Sequence, residues 1–215
     1  MIKVISFDIG GTLLCDNENS TIKKYDLKSL ALLVGLPYEV VRSAYKKVFQ
    51  KNKGSFDDLV NMFCDILNIE NSGKLQMFFY NKFNYTVGKI SEDNLNIIKK
   101  LKQIGYKVIL FSNTCCLIKN NFEQEFLNNI DEVFYSYDLG YTKNDNESYK
   151  LVESKMGFLP EEFLHIGDTL KSDYINPIKN GWNALYYGEN FDDNVTSITD
   201  LNEVFNYLSN KNKIL

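Results

Sequence analysis

The feature that most constrains this chain is a short apolar run that ends in two glycines. Residues 2–6, IKVIS, lead into FDIGGTL over residues 7–13. This pattern predicts a buried strand that stops abruptly, with Asp8 at its C-terminal end. In open parallel α/β sheets ligands bind at that end, and a buried carboxylate there requires a partner or a function. The alternative is an Asp that only caps a glycine turn.

Length and composition describe an ordinary globular chain. The 215 residues predict one domain, or a core with an insert, and the aromatic content of 14% argues against disorder. A net charge of −4 gives no reason to expect nucleic acid as a partner. No membrane-spanning stretch and no signal-peptide pattern is present, so we expect a cytoplasmic protein with no membrane partner.

The cysteines and the single histidine limit the possible site chemistry. The spacing of Cys15, Cys64, Cys115 and Cys116 fits neither a zinc site nor a disulfide framework, which favours free thiols. A Ser-His-Asp or Cys-His site would have to use His165. That residue lies in a predicted buried strand, which favours a packed core histidine over a catalytic one.

Residues 14–86 predict helices and no strand. Apolar residues recur at helical spacing, and capping signals predict helices over 21–34, 37–51, 55–66 and 72–83. We therefore expect a helical bundle of about 70 residues, inserted after the first strand and lying above the C-terminal edge of the sheet. It contains no motif that identifies a substrate.

After Lys89 the pattern alternates between helices and strands. Strands are predicted over 108–111, 132–135, 163–166 and 182–187, and helices over 91–104, 117–128, 146–156, 172–180 and 200–209. Single helices between strands imply right-handed crossovers and a parallel sheet covered on both faces. The predicted fold class is α/β, a Rossmann-like doubly wound core of residues 1–13 and 87–215 with an all-helical cap of residues 14–86.

Polar side chains follow four of the predicted strands. They are Asp8, Ser112, Lys143, and the pair Asp168 and Asp173. Any of them could be a turn residue, but carboxylates that converge repel one another and favour a cation between them. Oxygen ligands of this kind suit Mg²⁺, and a lysine with a hydroxyl suits a phosphate. The residues thus predict an Mg²⁺-dependent site for a small phosphorylated metabolite.

Four segments resemble, in order, the motifs of the haloacid dehalogenase (HAD) superfamily. They are DIGGT at 8–12, ILFSN at 109–113, Lys143, and GDTLKSD at 167–173. The resemblance covers residues 1–13 and about 89–187, and the helical block resembles the variable cap of this family. It implies a hydrolase of the phosphatase branch.

The resemblance also implies roles for the motif residues. Asp8 matches the nucleophile that forms an aspartyl-phosphate, and Ser112 matches the hydroxyl that binds a phosphoryl oxygen. Lys143 matches the lysine that neutralises the nucleophile and the transferred phosphoryl group. Gly11, Thr12 and Asn113 complete the implied substrate site.

An Mg²⁺ site is implied by the same motifs. Asp168 matches a direct metal ligand, and Asp173 matches the acidic residue that positions the metal or its waters. Asp8 and the backbone carbonyl of Gly10 match the remaining protein ligands.

Gly10 is the main departure from the family pattern. Hydrolases of this family usually carry a second Asp here, as general acid and base, a contribution worth about 10²–10⁴-fold. Its loss would matter most for alkyl phosphates and little for acyl phosphates, whose leaving group has a pKa of about 4. Asn144 is a lesser departure, because the family often has proline there.

Two further functions stay open on the sequence. The resemblance also admits a phosphonate-cleaving enzyme, whose relatives carry a small residue at position 10 and add a lysine from the cap, but none of Lys23, Lys24, Lys46 and Lys47 stands out. The dehalogenating relatives lack the metal pattern of Gly167-Asp168, so this pair argues against carbon–halogen cleavage. Gly10 also fits a regulatory protein that keeps the metal and phosphate pocket without catalysis. Substrate identity, any replacement acid, the oligomeric state and the role of Cys115 and Cys116 are not indicated.

Overall fold

A six-stranded sheet forms the centre of the computed structural model, which describes residues 1–14, 25–84, 89–118, 122–189 and 192–212. Its strands are β1 Val4–Phe7, β2 Lys107–Ser112, β3 Glu132–Tyr135, β4 Phe163–Gly167, β5 Asn183–Tyr187 and β6 Ser197–Ile198. The order is β3-β2-β1-β4-β5-β6, and each neighbouring pair is parallel. The predicted parallel α/β core is confirmed, with β1 between β2 and β4.

Helices connect and cover the strands. They are α1 Leu27–Val34, α2 Tyr38–Phe49, α3 Phe56–Leu67, α4 Gly73–Phe83, α5 Glu92–Ile104, α6 Gln124–Leu127, α7 Ser136–Leu139, α8 Asn146–Met156, α9 Asn176–Lys179 and α10 Val204–Asn212. A π-helical segment, Leu170–Ile175, precedes α9. No helix in the described ranges is long and apolar enough to cross a membrane.

The two faces of the sheet bury separate cores. Ile5 and Phe7 face one side, where α5 and α10 pack, whereas Val4 faces the other side with Tyr149 of α8 and Trp182. Successive residues of a strand point to opposite faces, so a strand buried on both faces is apolar throughout its length. This explains the unbroken apolar run that begins the chain.

Helices α1 to α4, called the cap helices below, bury a third core of their own. Phe49, Phe63, Phe79 and Phe83 pack together with ring centroids 4.7–5.8 Å apart. Cys115, from the loop that follows β2, is buried in the same cluster. The loop after β2 therefore packs against the cap helices.

Local signals set most helix ends correctly. The predicted capping box of α3 is present, with Ser55 and Asp58 each accepting a backbone N–H of the other. Gly35 and Gly105 end α1 and α5 in the left-handed conformation, with φ of 68° and 106°. The start of the first predicted helix, together with Cys15, Lys23 and Lys24, lies outside the described residues.

The structure corrects two predicted helices and adds two elements that were not predicted. Of the helix expected over 117–128, the described residues form only α6, and Leu117 and Ile118 lie instead in a turn packed against the cap core. The helix expected from Ser172 begins at Leu170, since the Asp173 carboxylate accepts the N–H of Thr169 at 2.9 Å. Helix α7 and the two-residue strand β6 were not predicted.

Candidate active site

Strand register brings the first and last motifs together. Phe7 lies beside Ile166 of β4 and Leu110 of β2, so the residues that follow these strands emerge at one edge. The N–H of Asp8 donates to the Ile166 carbonyl at 2.9 Å. Asp8 is therefore fixed next to Gly167 and the Asp168 that follows it.

The two glycines after Asp8 differ in what their surroundings require. At Gly11 the φ of +74° is left-handed, and an added Cβ would collide with Oδ2 of Asp168. Only glycine fits there without displacing that carboxylate. At Gly10 an added Cβ would meet no atom of the described residues within 4 Å, and the residue lines the cavity described below. No described neighbour therefore requires glycine at position 10.

The backbone of Lys143 makes three hydrogen bonds to side chains of other segments. Its N–H donates to Oδ1 of Asn113 at 2.9 Å, and its carbonyl accepts the Tyr149 hydroxyl at 2.9 Å and the Asn176 amide at 3.0 Å. The residue is 1% exposed. Hydrogen bonds to both its N–H and its carbonyl thus fix the backbone of this buried lysine.

The Lys143 ammonium joins two carboxylates. Nζ lies 2.8 Å from Oδ1 of Asp8 and 2.5 Å from Oδ1 of Asp173. Burial alone disfavours a charged lysine, but the two carboxylates outweigh it and raise the pKa of Lys143. Burial likewise disfavours the Asp173 carboxylate, yet Lys143 and a bond from His165 lower its pKa. The three groups form one buried cluster in which a lysine is paired with two carboxylates.

His165, a buried residue of β4, contacts this cluster from within the core. Its ring is fully buried, with Nε2 at 3.2 Å from Oδ1 of Asp173 and Nδ1 at 2.8 Å from the Ser6 hydroxyl. Burial lowers the pKa of His165, which favours the neutral ring. Since a carboxylate only accepts, Nε2 carries the proton and Nδ1 accepts from Ser6. The histidine is packed in the core, and it orients Asp173.

Asp168 completes a group of three carboxylates. One oxygen from each of Asp8, Asp168 and Asp173 lies within 4.8 Å of the others. Burial, then the charges of Asp8 and Asp173, raise the pKa of Asp168 to about 6. Within the described ranges Asp168 takes part in no ion pair. The donor set consists of hard oxygens, which fits a divalent cation such as Mg²⁺.

A cavity of about 280 Å³ opens above these residues. Its lining comes from four parts of the chain and comprises Asp8, Ile9, Gly10, Leu14, Tyr45, Gln50, Ser112, Asn113, Thr114, Cys115, Ile118, Asp168 and Thr169. This volume is at the small end for ligand pockets. Tyr45 lies in α2 and Gln50 directly follows it, so the cap helices lie over the site, as the sequence predicts.

Two residues predicted to bind substrate lie away from this lining. Thr12 is fully buried, and its hydroxyl has no hydrogen-bond partner in the described part of the chain. The N–H of Gly11 donates to the Leu14 carbonyl at 2.9 Å. Both residues shape the turn after Asp8, and a substrate contact by either stays a prediction.

Comparison with known proteins decides the family. The family of haloacid dehalogenase-like hydrolases matches residues 2–175, which include every motif residue described above. This chain is a haloacid dehalogenase-like hydrolase. The family assignment inferred from the four motifs is therefore confirmed.

Individual HAD-like relatives are distant. An uncharacterized hydrolase from Schizosaccharomyces pombe is 28% identical over 124 residues, which span 54% of this chain and 54% of that protein. The HAD family enzyme bt-2542 from Bacteroides thetaiotaomicron has a TM-score of 0.62 at 18% identity, over 89% of this chain and 96% of its own. A second structure of that enzyme, with a TM-score of 0.58, holds magnesium and inorganic phosphate.

The fold is also shared by a dehalogenase. The 2-haloacid dehalogenase from Pseudomonas syringae has a TM-score of 0.61 at 16% identity, covering 98% of this chain and 99% of its own. Similarity at this level shows the HAD fold and leaves the reaction open.

Several residues around this HAD-like site were not found from the sequence. Tyr149 and Asn176 hold the Lys143 carbonyl, while Tyr45 and Gln50 reach the cavity from the cap helices. None lies in a motif, and each depends on segments that meet only after folding. Gln50 lies within the second predicted helix, over 37–51, whereas α2 ends at Phe49, so no sequence signal marked it.

Proposed function

We propose that this chain is an Mg²⁺-dependent phosphohydrolase that acts on a small phosphorylated metabolite through an aspartyl-phosphate on Asp8. The observation that carries the proposal is the Lys143 ammonium, which contacts Asp173 and also Asp8, a residue that lines the small cavity. A buried cation in hydrogen-bond contact with the nucleophile suits this reaction, because it offsets the repulsion between the carboxylate and the negative phosphoryl oxygens. The magnesium and phosphate in bt-2542 support the same chemistry.

The first step is the transfer of the phosphoryl group to the enzyme. An oxygen of Asp8 forms a bond to phosphorus while the bond from phosphorus to the leaving oxygen breaks, and the electron pair leaves on that oxygen. Lys143 donates to Oδ1 of Asp8 and offsets the charge of the phosphoryl oxygens. Ser112 and Asn113 line the cavity, where they would donate to those oxygens.

The second step regenerates the nucleophile. A water oxygen bonds to phosphorus, and the bond between phosphorus and the Asp8 oxygen breaks, releasing inorganic phosphate and the free carboxylate. Carboxylates at Asp168 and Asp173 and the carbonyl of Gly10 would hold Mg²⁺ together with Asp8. When bound, Mg²⁺ supplies positive charge against the phosphoryl oxygens. His165 and Lys143 keep Asp173 in place for this role.

Proton transfer is the step for which the described site lacks an evident group. Gly10 offers no side chain, and of the described residues that line the cavity none is a histidine, lysine or glutamate. The two carboxylates of the lining, Asp8 and Asp168, already serve as nucleophile and metal ligand in this proposal. An alkoxide leaving group needs a proton, whereas a carboxylate leaving group does not. Acyl phosphates and other substrates with good leaving groups are therefore the favoured class.

Gly10 also supports one alternative, a phosphate- and metal-binding protein with impaired catalysis. A phosphonate-cleaving enzyme has less support, because it would need a lysine in the cavity. Lys46 and Lys47 are in the described part of the chain, and neither belongs to the cavity lining.

Phosphate release separates these functions. We would measure it with and without Mg²⁺ from acetyl phosphate, p-nitrophenyl phosphate and a sugar phosphate, beside Asp8→Asn. Metal-dependent turnover of the first two that Asp8→Asn abolishes is the expected result. Phosphate and Mg²⁺ binding without turnover of any of the three would favour the binding protein.

A further inference from the structure

Ser136, the first residue of α7, bonds to the backbone of the loop that follows β2. Its hydroxyl accepts the N–H of Thr114 at 3.1 Å and donates to the carbonyl of the same residue at 3.2 Å. Ser136 is fully buried, so water does not compete for either bond. A buried side chain that bonds both backbone groups of one residue fixes the position of that residue.

The strand register explains why these two residues meet. Strands β2 and β3 are parallel, and Ser112 lies beside Tyr135 in their ladder. Ser136 directly follows Tyr135, so it lies at the carboxyl edge of the sheet, beside the chain that leaves β2. Thr114 is two residues beyond Ser112. The sheet therefore brings the Ser136 hydroxyl to this loop.

The loop has no secondary structure of its own. Residues 113–115 lie in neither a helix nor a strand, although all three line the cavity. Asn113 is tied to the rest of the site through its side chain, whose Oδ1 accepts the N–H of Lys143 at 2.9 Å. Thr114 is tied through its backbone, by Ser136. The second contact is the one that sets the path of the chain just after the phosphoryl-binding residues.

Helix α7 gives Ser136 a rigid support. The helix continues directly from β3, and Leu139 packs against the core that contains Phe134. An ion pair also joins Asp138 of α7 to Lys53, which follows α2. A hydroxyl held in this way is a fixed point for an irregular loop.

We propose that Ser136 is a positioning residue that holds the phosphoryl-binding side of the cavity in place through the backbone of Thr114. The inference rests on the proposed function, in which Ser112 and Asn113 donate to the phosphoryl oxygens. Small displacements of such groups weaken their contacts strongly. Ser136 is not part of the cavity lining, so it acts on the phosphoryl group only through this loop.

A hydroxyl is required because it makes both bonds at once. It donates one hydrogen bond and accepts others, whereas the methyl group of alanine does neither. Thr114 is half-buried, so in Ser136→Ala we expect water to solvate its N–H and carbonyl without fixing their position. Folding should then tolerate the change better than phosphoryl binding does.

The kinetics of acetyl phosphate test the proposal, because this substrate has the good leaving group that the proposed function favours. Contacts that bind the phosphoryl group equally in the ground and transition states affect KM and leave kcat nearly unchanged. We expect Ser136→Ala to raise KM, and the inhibition constant of inorganic phosphate, each about 5- to 10-fold, with kcat within about twofold of wild type. Ser136→Thr keeps the hydroxyl and should keep both constants within about twofold.

Ser72→Ala is the matched control for a loss of stability. The Ser72 hydroxyl caps α4 by accepting the N–H of Leu75 at 3.4 Å, and the residue is not part of the cavity lining. A smaller folded fraction lowers the apparent kcat and leaves KM and the inhibition constant unchanged. If Ser136→Ala does not fold, Ser136→Cys replaces it, because a thiol bonds more weakly than a hydroxyl and should raise both constants in part.

The outcomes separate this inference from the proposed function. Unchanged KM and inhibition constant in the folded variant, or a fall in kcat alone, would overturn the role of Ser136 while wild-type turnover upheld the phosphohydrolase. If wild type released no phosphate from acetyl phosphate or p-nitrophenyl phosphate, the proposed function would fail. Calorimetric titration of inorganic phosphate with Mg²⁺ into wild type and Ser136→Ala would then decide the positioning role. Weaker binding by the variant would support it, and equal affinities, or no binding by wild type, would overturn it.

Discussion

The ammonium of Lys143 lies 2.8 Å from Oδ1 of Asp8, although 135 residues separate the two along the chain. Lys143 is fully enclosed and also contacts Asp173. Its charge therefore compensates two carboxylates that water cannot fully solvate. The same residue contributes to folding and to the proposed chemistry.

Replacing Lys143 with methionine should destabilise the protein by about 3–5 kcal/mol at neutral pH, because it leaves buried carboxylates without their partner. The loss should shrink at about pH 5, since carboxylates that lose a cation take up protons more readily. Urea unfolding at both pH values measures this. Lys150→Met, on the exposed face of α8, should stay within about 0.5 kcal/mol of wild type. A Lys143→Met protein as stable as this control would refute the argument.

The positions of the motif residues could be predicted because they depend on local patterns and one topological rule. Ser55 and Ser91 cap helices through residues within the next turn, and such signals are readable in sequence. Asp8 and Asp168 follow parallel strands and Ser112 ends one, and the carboxyl ends of these strands share one edge. These inferences require no knowledge of how distant segments pack.

Contacts between distant segments could not be predicted from the sequence. The Tyr149 hydroxyl reaches the Lys143 carbonyl only because α8 packs against the sheet, and Gln50 reaches the cavity only because the cap helices dock on the core. The same packing explains the wrong helix over 117–128. Leu117 and Ile118 have helical apolar spacing with later residues, but they are used against the cap core instead.

Introducing the missing carboxylate should raise activity. Position 10 has space for a side chain beside the cavity, so Gly10→Asp should fold and should increase kcat on alkyl phosphates by about 10²-fold or more, with little change on acetyl phosphate. Gly11→Asp is the matched control, because its Cβ would collide with Asp168 and its φ is left-handed. It should lose both stability and activity. Equal kcat for wild type and Gly10→Asp on alkyl phosphates would show that another group already transfers the proton.

The single histidine provides a direct spectroscopic test of the hydrogen-bond network. Because burial lowers the pKa of His165, the folded protein should show a neutral ring protonated at Nε2 throughout the range from pH 6 to 8. Nitrogen-15 NMR of the imidazole measures this, with the urea-unfolded chain as reference. The unfolded ring takes up a proton near pH 6.5 and the folded ring does not, so this residue adds stability as pH rises through that region. A folded ring that titrates near pH 6.5 would contradict the assignment.

Magnesium binding should weaken in mild acid because of Asp168. Its pKa of about 6 lies above the ordinary value of 3.8, so the folded protein holds a proton there that the unfolded chain has already lost. Without metal, this group therefore makes folding less favourable as pH rises from about 4 to 6. Mg²⁺ must displace that proton, and its stabilisation should be larger at about pH 7.5 than at pH 5. Thermal unfolding with Mg²⁺ or EDTA at each pH measures the difference. Asp168→Asn should lose most of the stabilisation, while Asp57→Asn, on the exposed face of α3, should keep it. A metal-induced shift that is equal at both pH values, or that survives in Asp168→Asn, would place the metal elsewhere.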